Sequence, residues 1–394
     1  MFDLFFLVKN NYFDKELINK NTLIPNSLFS NKEIEKIKTN KDNKNIYFVI
    51  MDGMASLEQY EFLLKEANFY SEKIQKYIKD NKQFFLKKNF IYIENSYSTF
   101  NDTHHTLGSI MNLKPLELNK FNKKSLKYQN SLYPSVLSKN KFEINNFPNL
   151  INDLYKIDYD FKWLGYKLNC KFVNPNLCYD YENKRSYKSK SIINFYILKS
   201  FLINTPTLEL YGFFRNKLKL DITLPDREKM KLNKKNDLNS RNEVLSEFIL
   251  NVKKYQKNHK SYFYFIHNIL PSDPFIFDEA CNKKNHVNDD GDMSIYLENY
   301  SKNYKCALKK VKEFIEFIDL HDPDAIVVFQ ADHGEKITLN RNNNKYKIFN
   351  LIKVTNLCKK YLTNEIDSVN AVRLAISCAT GTKVKLLKRK IYSE

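Results

Sequence analysis

The sequence predicts an α/β fold, a three-layer sandwich in which helices flank a central, mostly parallel mixed sheet. Three observations point there. Segments of strand character alternate with segments of helical periodicity nearly throughout the chain. The runs NIYFVIM (45–51), SYFYFI (261–266) and AIVVFQA (325–331) are almost unbroken in apolar residues, as strands covered on both faces are. Neither an internal repeat nor a Gly/Ser linker divides the 394 residues, so one large domain is expected over residues 45–394, after a polar lead-in at 1–44.

The first strand, 45–51, ends in Asp52-Gly53, a carboxylate followed by a residue that lets the backbone turn sharply. Leu57, Tyr60, Leu63 and Leu64 then recur at helical spacing within 56–69, completing a strand–loop–helix unit. FIYIENSY (90–97) reads as a strand and runs into STFNDTHHTLGSIMN, where Thr106, Leu107, Ile110 and Met111 suit a helix opening near Thr103. Residues 114–146 are rich in Lys and Asn and read as a basic surface insertion; 214–239 is a second. Between them lie helical patterns at 147–157 and 191–202 and a strand at 161–168 whose Gly165 marks a bend. Ser240-Arg241-Asn242-Glu243 is a capping box ahead of a helix with Val244, Leu245, Phe248, Ile249 and Val252 on one side. The aromatic strand from 261 leads to His267 and a Pro-punctuated loop. A long helix at 293–320 turns Tyr300, Tyr304, Leu308, Val311, Ile315 and Ile318 inward. The strand 325–331 ends in Asp332-His333-Gly334, and a strand at 348–354 and a helix at 369–379 complete the chain.

Composition narrows the function classes. Hydrophobic residues make up 43% and aromatics 14%, which excludes a disordered chain. The formal charge of +19 would suit an anionic partner, but it comes mainly from Lys. Arg, better suited to bidentate reading of phosphates and bases, is scarce, so specific nucleic-acid recognition is not expected. A basic surface can still rest peripherally on an anionic membrane. No stretch approaches the ~18 apolar residues of a membrane span, and the N-terminus lacks the basic region and cleavage site of a signal peptide. The cysteines at 170, 178, 281, 306, 358 and 378 show neither CxxC nor paired spacing. Reduced thiols in a cytoplasmic setting, peripheral at the inner membrane at most, are therefore expected.

Strand ends thus bring Asp52, Asp332-His333 and the Thr103 segment to one edge of the sheet, where open α/β sheets place ligands, and another strand adds His267. Each feature alone is weak: an Asp-Gly after a strand is most often a turn, and Thr103 could simply cap its helix. Together, two carboxylates, an imidazole and a hydroxyl make a credible set for one divalent ion. Mixed nitrogen and oxygen donors favour Mn or Zn over Ca and admit Mg. Coordination would lower the pKa of a threonine hydroxyl enough for covalent catalysis and would neutralise charge on a phosphoryl oxygen in the transition state. Thr106 rivals Thr103 as nucleophile, but Thr103 opens the helix, where the dipole favours an anion. His104 and His105 are candidate substrate contacts, and at most one would face the site because next neighbours on a helix diverge.

IYFVIMDG, NSYSTFNDTHHTLGSIMN, FIHNILPSDPFIFD and VVFQADHG occur in the order and approximate spacing seen in the alkaline phosphatase superfamily. From about Asn45 onward the chain resembles its sulfatase-like branch, which includes lipoteichoic acid synthases and phosphoethanolamine transferases. The resemblance implies an alkaline-phosphatase-like sandwich, with Asp52, Asp332 and His333 as metal ligands and Thr103 as nucleophile and ligand. His267 would be a substrate-side catalytic histidine or serve a second ion, so one or two ions are implied. A covalent phospho-threonine intermediate would pass its group to an acceptor hydroxyl or to water. The implied partners are a phosphorylated small-molecule or lipid-linked donor and a glycan or other cell-envelope acceptor.

The chain departs from the pattern in three places. Sulfatases convert a Cys or Ser in a CxPxR-type motif to formylglycine; Thr stands at the equivalent position here, which disfavours sulfate-ester hydrolysis. Relatives often carry a histidine in a PHxPF-like loop, where this chain has Pro271-Ser272-Asp273-Pro274-Phe275. Either Asp273 takes over that role, as a substrate-binding residue, or a single ion suffices. The membrane helices usual at the N-terminus of the transferases are also missing. The expected function is a metal-dependent phosphotransferase. A phosphodiesterase or phosphatase with the same apparatus is the first alternative, and a catalytically weakened protein binding anionic glycans or membrane surfaces is the second.

Overall fold

The computed structural model describes residues 27–40, 42–115, 149–164, 178–179, 244–251, 261–273, 275–284, 292–335, 343–363 and 366–392. All of these fall in one compact unit drawn from Met1–Asp180 and Arg241–Glu394. The expected helix at 191–202, the bend at Gly165, the capping box at Ser240, the insertion at 214–239 and nearly all of that at 114–146 lie outside the described residues.

Seven strands form one sheet: β1 (Ile46–Met51), β2 (Ile91–Tyr92), β3 (Asp160–Leu164), β4 (Cys178–Tyr179), β5 (Tyr262–Asn268), β6 (Ile326–Gln330) and β7 (Asn350–Lys353). Their order is β2-β7-β6-β1-β5-β3-β4. β1 lies at the centre and pairs in parallel with β5 on one side and β6 on the other. β3 and β4 continue the parallel part beyond β5, whereas β7 runs antiparallel to β6 and β2 antiparallel to β7. The sheet is therefore mixed and mostly parallel, as the alternation of elements predicts.

Eight helices accompany it among the described residues: α1 (Asn31–Thr39), α2 (Leu57–Glu66), α3 (Glu72–Lys87), α4 (Thr103–Met111), α5 (Asn149–Lys156), α6 (Val244–Asn251), α7 (Met293–His321) and α8 (Ser368–Thr380). Every residue of β1, β5 and β6 is buried, because alternate side chains leave on opposite faces and both faces are covered. On one face Phe48, Phe263, Phe265, Ile326 and Val328 share a core with Ile34 and Ile37 of α1, Leu107 and Ile110 of α4, Leu150 and Leu154 of α5, and Leu374 and Ile376 of α8. On the other, the Tyr47 ring stacks on Tyr264 at 5.0 Å and meets Phe248 of α6 and Phe314 of α7 edge-on. Tyr60 of α2 stacks on Tyr304, and Phe85 of α3 packs against Phe349. The three-layer sandwich is thus observed.

Several local expectations shift. The strand read over 90–97 is reduced to two ladder residues and an isolated bridge at Tyr97. Within that stretch the Ser96 hydroxyl donates to Ile366 O and accepts from Asn350 Nδ2. Helix α3 has no counterpart in the sequence reading, since Lys dominates it and among its apolar residues only Ile78 and Phe85 are buried. Within the polar lead-in, α1 carries a full capping box from Ser30 to Glu33.

The cysteines require a correction. Cys281–Cys306 and Cys358–Cys378 are disulfides across 25 and 20 residues, and no described cysteine is free. Partners so far apart meet only through the fold, Cys306 on α7 and Cys378 on α8, which spacing along the chain cannot reveal. The ground for a reducing cytoplasmic setting goes with the free thiols. No described helix is long and apolar enough to cross a membrane.

Asp367 caps α8, its Oδ1 accepting from Asn370 N at 2.6 Å. Burial raises its pKa to about 6, against the lowering effect of the capping amides, Arg389 and Arg373. A carboxyl raised by folding holds its proton more tightly in the native state. Native stability therefore falls as pH climbs from about 4, the unfolded value, to about 6, and the loss is complete above that. Asn caps as well as Asp and carries no charge. Asp367→Asn is expected to raise stability at pH 7.5 by on the order of 2 kcal/mol and to change little at pH 4, read by chemical denaturation at both.

Candidate metal centre and active site

Parallel register sets Ile50 of β1 beside His267 of β5 and Gln330 of β6. The residues that end these strands consequently emerge side by side, and Asp52, His267, Asp332 and His333 converge there. His267 Nε2 lies 3.3 Å from Asp52 Oδ2, and His333 Nε2 lies 3.6 Å from Asp52 Oδ1 and 3.7 Å from Asp332 Oδ2. These separations are long for hydrogen bonds between charged groups. They are close to the roughly 3.4 Å between two donors that each stand about 2.1 Å from a shared ion. Asp52, His267 and Asp332 also form the one group of three or more His, Cys, Asp or Glu residues among the described residues whose ligand atoms could surround an ion.

Local bonds fix two of these side chains, His333 and Asp332. His333 is held with Nδ1 against Gly334 O at 2.7 Å, so the ring donates there and presents Nε2 as a lone pair. Asp332 is wholly buried; its Oδ1 accepts from the backbone N–H groups of Gly53 and His333, at 3.1 and 2.9 Å. Its Oδ2 and both ring nitrogens of His267 are buried without hydrogen-bond partners. Orphaned polar atoms of this kind are costly unless something else satisfies them, and a cation does so for two carboxylates and two imidazoles together. The residues present therefore fit a divalent ion.

Two glycines permit the closure. Gly53 sits at φ +66°, and a Cβ there would stand 3.3 Å from Ser272 Cβ and 3.4 Å from the His333 ring. A Cβ on Gly334 would meet the carbonyl oxygens of Lys347 and Lys345 at 2.7 and 2.8 Å. Helix α7 adds a row of tyrosines, of which the sequence places Tyr300 and Tyr304 inward without a role. The Tyr300 hydroxyl donates to Gly53 O and accepts from Ala55 N, Tyr304 donates to Ala55 O, and Tyr296 donates to the buried Glu335 at 2.8 Å. Their i, i+4 spacing was the available signal. It showed a buried face but not that the hydroxyls end on the turn behind Asp52.

Thr103 is the first residue of α4 and is half-buried. The chain leading to it lies against the segment that backs the Asp332 turn: Ser98 N donates to Tyr346 O, and Gly334 N to Lys345 O, both at 2.8 Å. Thr106 is fully buried, its hydroxyl donating to Phe100 O. Asp102 is the helix cap, and its carboxylate takes both the backbone N–H and the ring Nδ1 of His105, the latter at 2.6 Å. The His105 ring packs against Phe100; the side chain of His104 lies outside what is described. Asp273 is exposed, whereas Ser272, its neighbour, lies against the site with its backbone N–H donating to Asp52 O.

No family model matches the chain, and no curated protein does. Solved structures are similar to it. The soluble domain of lipooligosaccharide phosphoethanolamine transferase A from Neisseria meningitidis matches at 10% identity, over 87% of this chain and 89% of that one, with a TM-score of 0.49. The lipoteichoic acid synthase LtaP from Listeria monocytogenes matches at 13% identity, over 90% and 79%, with a TM-score of 0.46. The C-terminal periplasmic domain of EcEptC from Escherichia coli, solved as a complex with Zn, matches at 12% identity, over 87% and 84%, with a TM-score of 0.43. These neighbours are alkaline phosphatase superfamily domains.

Proposed function

We propose that the chain is a metal-dependent phosphotransferase of the alkaline phosphatase superfamily, with residues 45–394 as its catalytic domain and Thr103 as its nucleophile. The observation that carries this reading is the cluster of Asp52, His267 and Asp332 at adjoining strand ends, whose ligand atoms lie within 4.8 Å of one another, with His333 Nε2 3.6 Å from Asp52 Oδ1 and 3.7 Å from Asp332 Oδ2. These four residues would hold one divalent ion. Two imidazoles with two carboxylates favour Zn or Mn over Mg. When bound, the ion supplies Lewis-acid stabilisation of charge on the phosphoryl group and on the threonine oxygen.

The chain's own residues account for the rest. Thr103 Oγ forms the new bond to phosphorus while the bond to the donor's leaving oxygen breaks; the hydroxyl proton is released to solvent and the departing alcohol takes one up. The start of α4 places backbone N–H groups beside the transferred anion. In the second step an acceptor hydroxyl forms a bond to phosphorus as the bond to Thr103 Oγ breaks; the acceptor's proton is released to solvent and Thr103 Oγ takes one up. Burial of Thr106 supports Thr103 as the reacting hydroxyl. His267 serves as a ligand in this reading, while His105 and Asp273 border the substrate. The disulfides support work in an oxidising compartment, where a lipid-linked donor and a glycan acceptor of the cell envelope would be met.

Acceptor partitioning tests the transfer. With bis(4-nitrophenyl) phosphate as donor, adding a simple sugar is expected to divert most of the 4-nitrophenyl phosphate from water to the sugar while nitrophenol release continues. Release to water alone at every sugar concentration identifies a hydrolase, and no release with metal-loaded protein identifies a binding protein.

A further inference from the structure

After α8 the chain turns back at Gly381 and runs along that helix as an extended strap, residues 383–392. It is fastened along its length. Asn370 pairs through its side chain with the N–H and C=O of Leu387 at 2.8 and 2.9 Å, and Arg373 donates to Lys385 O. Arg389 lies over the Tyr97 ring and donates to Asn95 O. At the far end Tyr392 N donates to Thr99 O and its ring stacks on Phe100 at 4.9 Å.

The strap carries exposed basic and apolar side chains together. Lys383, Lys388 and Lys390 are exposed, with no counter-ion among the described residues, and no Asp or Glu occurs from 381 to 392. Lys385 is the exception, tied to Glu33. Among these lysines Leu386 and Ile391 are exposed at 39% and 38%. Lysines interleaved with apolar side chains suit a surface that is anionic at the level of the charges and apolar just beneath, which is a bilayer with anionic headgroups. A soluble polyanion would meet the lysines and leave the apolar residues unused.

We propose that the strap 383–392 docks the chain on an anionic phospholipid surface through Lys383, Lys388 and Lys390, with Leu386 and Ile391 entering the interface. Tyr392 and Phe100 then hold the docked edge three residues from Thr103, so a lipid-linked donor reaches the site without leaving the membrane. That last consequence rests on the phosphotransferase reading; the docking does not, because vesicles bind without turnover.

The test is co-sedimentation with vesicles of phosphatidylcholine alone or with 30% phosphatidylglycerol. The wild-type chain is expected to bind the anionic vesicles and not the neutral ones. The triple variant Lys383→Ala, Lys388→Ala, Lys390→Ala is expected to bind on the order of a hundredfold more weakly, about fivefold per lysine. The control removes equal charge from α3, on the opposite face of the sheet, through Lys73→Ala, Lys76→Ala and Lys79→Ala; it should stay within about threefold of wild type, its charges being distant and screened. The Ile391→Trp variant should show a blue shift of indole emission on anionic vesicles, over the constant signal of buried Trp163. Equal losses in the strap and control variants, equal binding to neutral vesicles, or an unshifted emission from the Ile391→Trp variant would each overturn the proposal. So would a strap needed for binding a soluble sulfated polysaccharide but not vesicles. None of these results alters the assignment of Thr103.

Discussion

Asp332→Asn is expected to empty the metal centre while leaving the fold in place. The two oxygens of Asp332 have separate duties. Oδ1 accepts from Gly53 N and His333 N, and an Asn carbonyl can accept both bonds unchanged. Oδ2, buried 3.7 Å from His333 Nε2, becomes an NH₂ group that cannot bind a cation. Loss of an outer-shell partner alone typically costs about 10–100-fold in metal affinity, so loss of this donor should exceed a hundredfold. Elemental analysis after dialysis reads the first effect, and urea denaturation of metal-free samples reads the second, with little change expected. Asp332→Ala is the less informative variant, since it strands two buried N–H groups at about 1–3 kcal/mol each. An Asp332→Asn protein that retains metal as wild type does would remove Asp332 from the ligand set.

Thr103→Ala is expected to lower turnover of a phosphodiester by about a thousandfold or more, the scale on which loss of a nucleophile is usually felt. Thr103→Ser keeps the hydroxyl and should stay within about tenfold of wild type. Thr106→Ala should leave turnover near normal and cost about 1 kcal/mol of stability, for the buried bond to Phe100 O that it removes. If Thr106→Ala, and not Thr103→Ala, abolished turnover, the nucleophile would be the wrong threonine.

The parts of this molecule legible in the sequence are those in which one residue pattern has one physical outcome. The apolar runs at 45–51, 261–266 and 325–331 read as buried strands, and they supply the three central strands of the sheet. Because parallel strands end at one edge, the polar residues that terminate them, Asp52, His267 and Asp332-His333, are legible as neighbours in the sequence. What stayed hidden depends on contacts remote in sequence. Cys281 meets Cys306 only because the loop after β5 folds onto α7, and Cys358 meets Cys378 only because residues 356–361 pack on α8. Tyr300 and Tyr304 read as core until their hydroxyls are seen on the backbone of Gly53 and Ala55. Helix α3 stayed hidden because its apolar stripe is narrow and its Lys content masks the period.

The nucleophile and the metal centre meet in a single observable, the covalent intermediate. Metal-loaded protein mixed with bis(4-nitrophenyl) phosphate, quenched in acid within the first turnovers and measured by intact-mass spectrometry, should carry one 4-nitrophenyl phosphate group. Fragmentation should place it on Thr103, and metal-free, Asp332→Asn and Thr103→Ala proteins should show no adduct. An adduct on another residue, or active wild-type protein that releases nitrophenol with none at any quench time, would contradict the account.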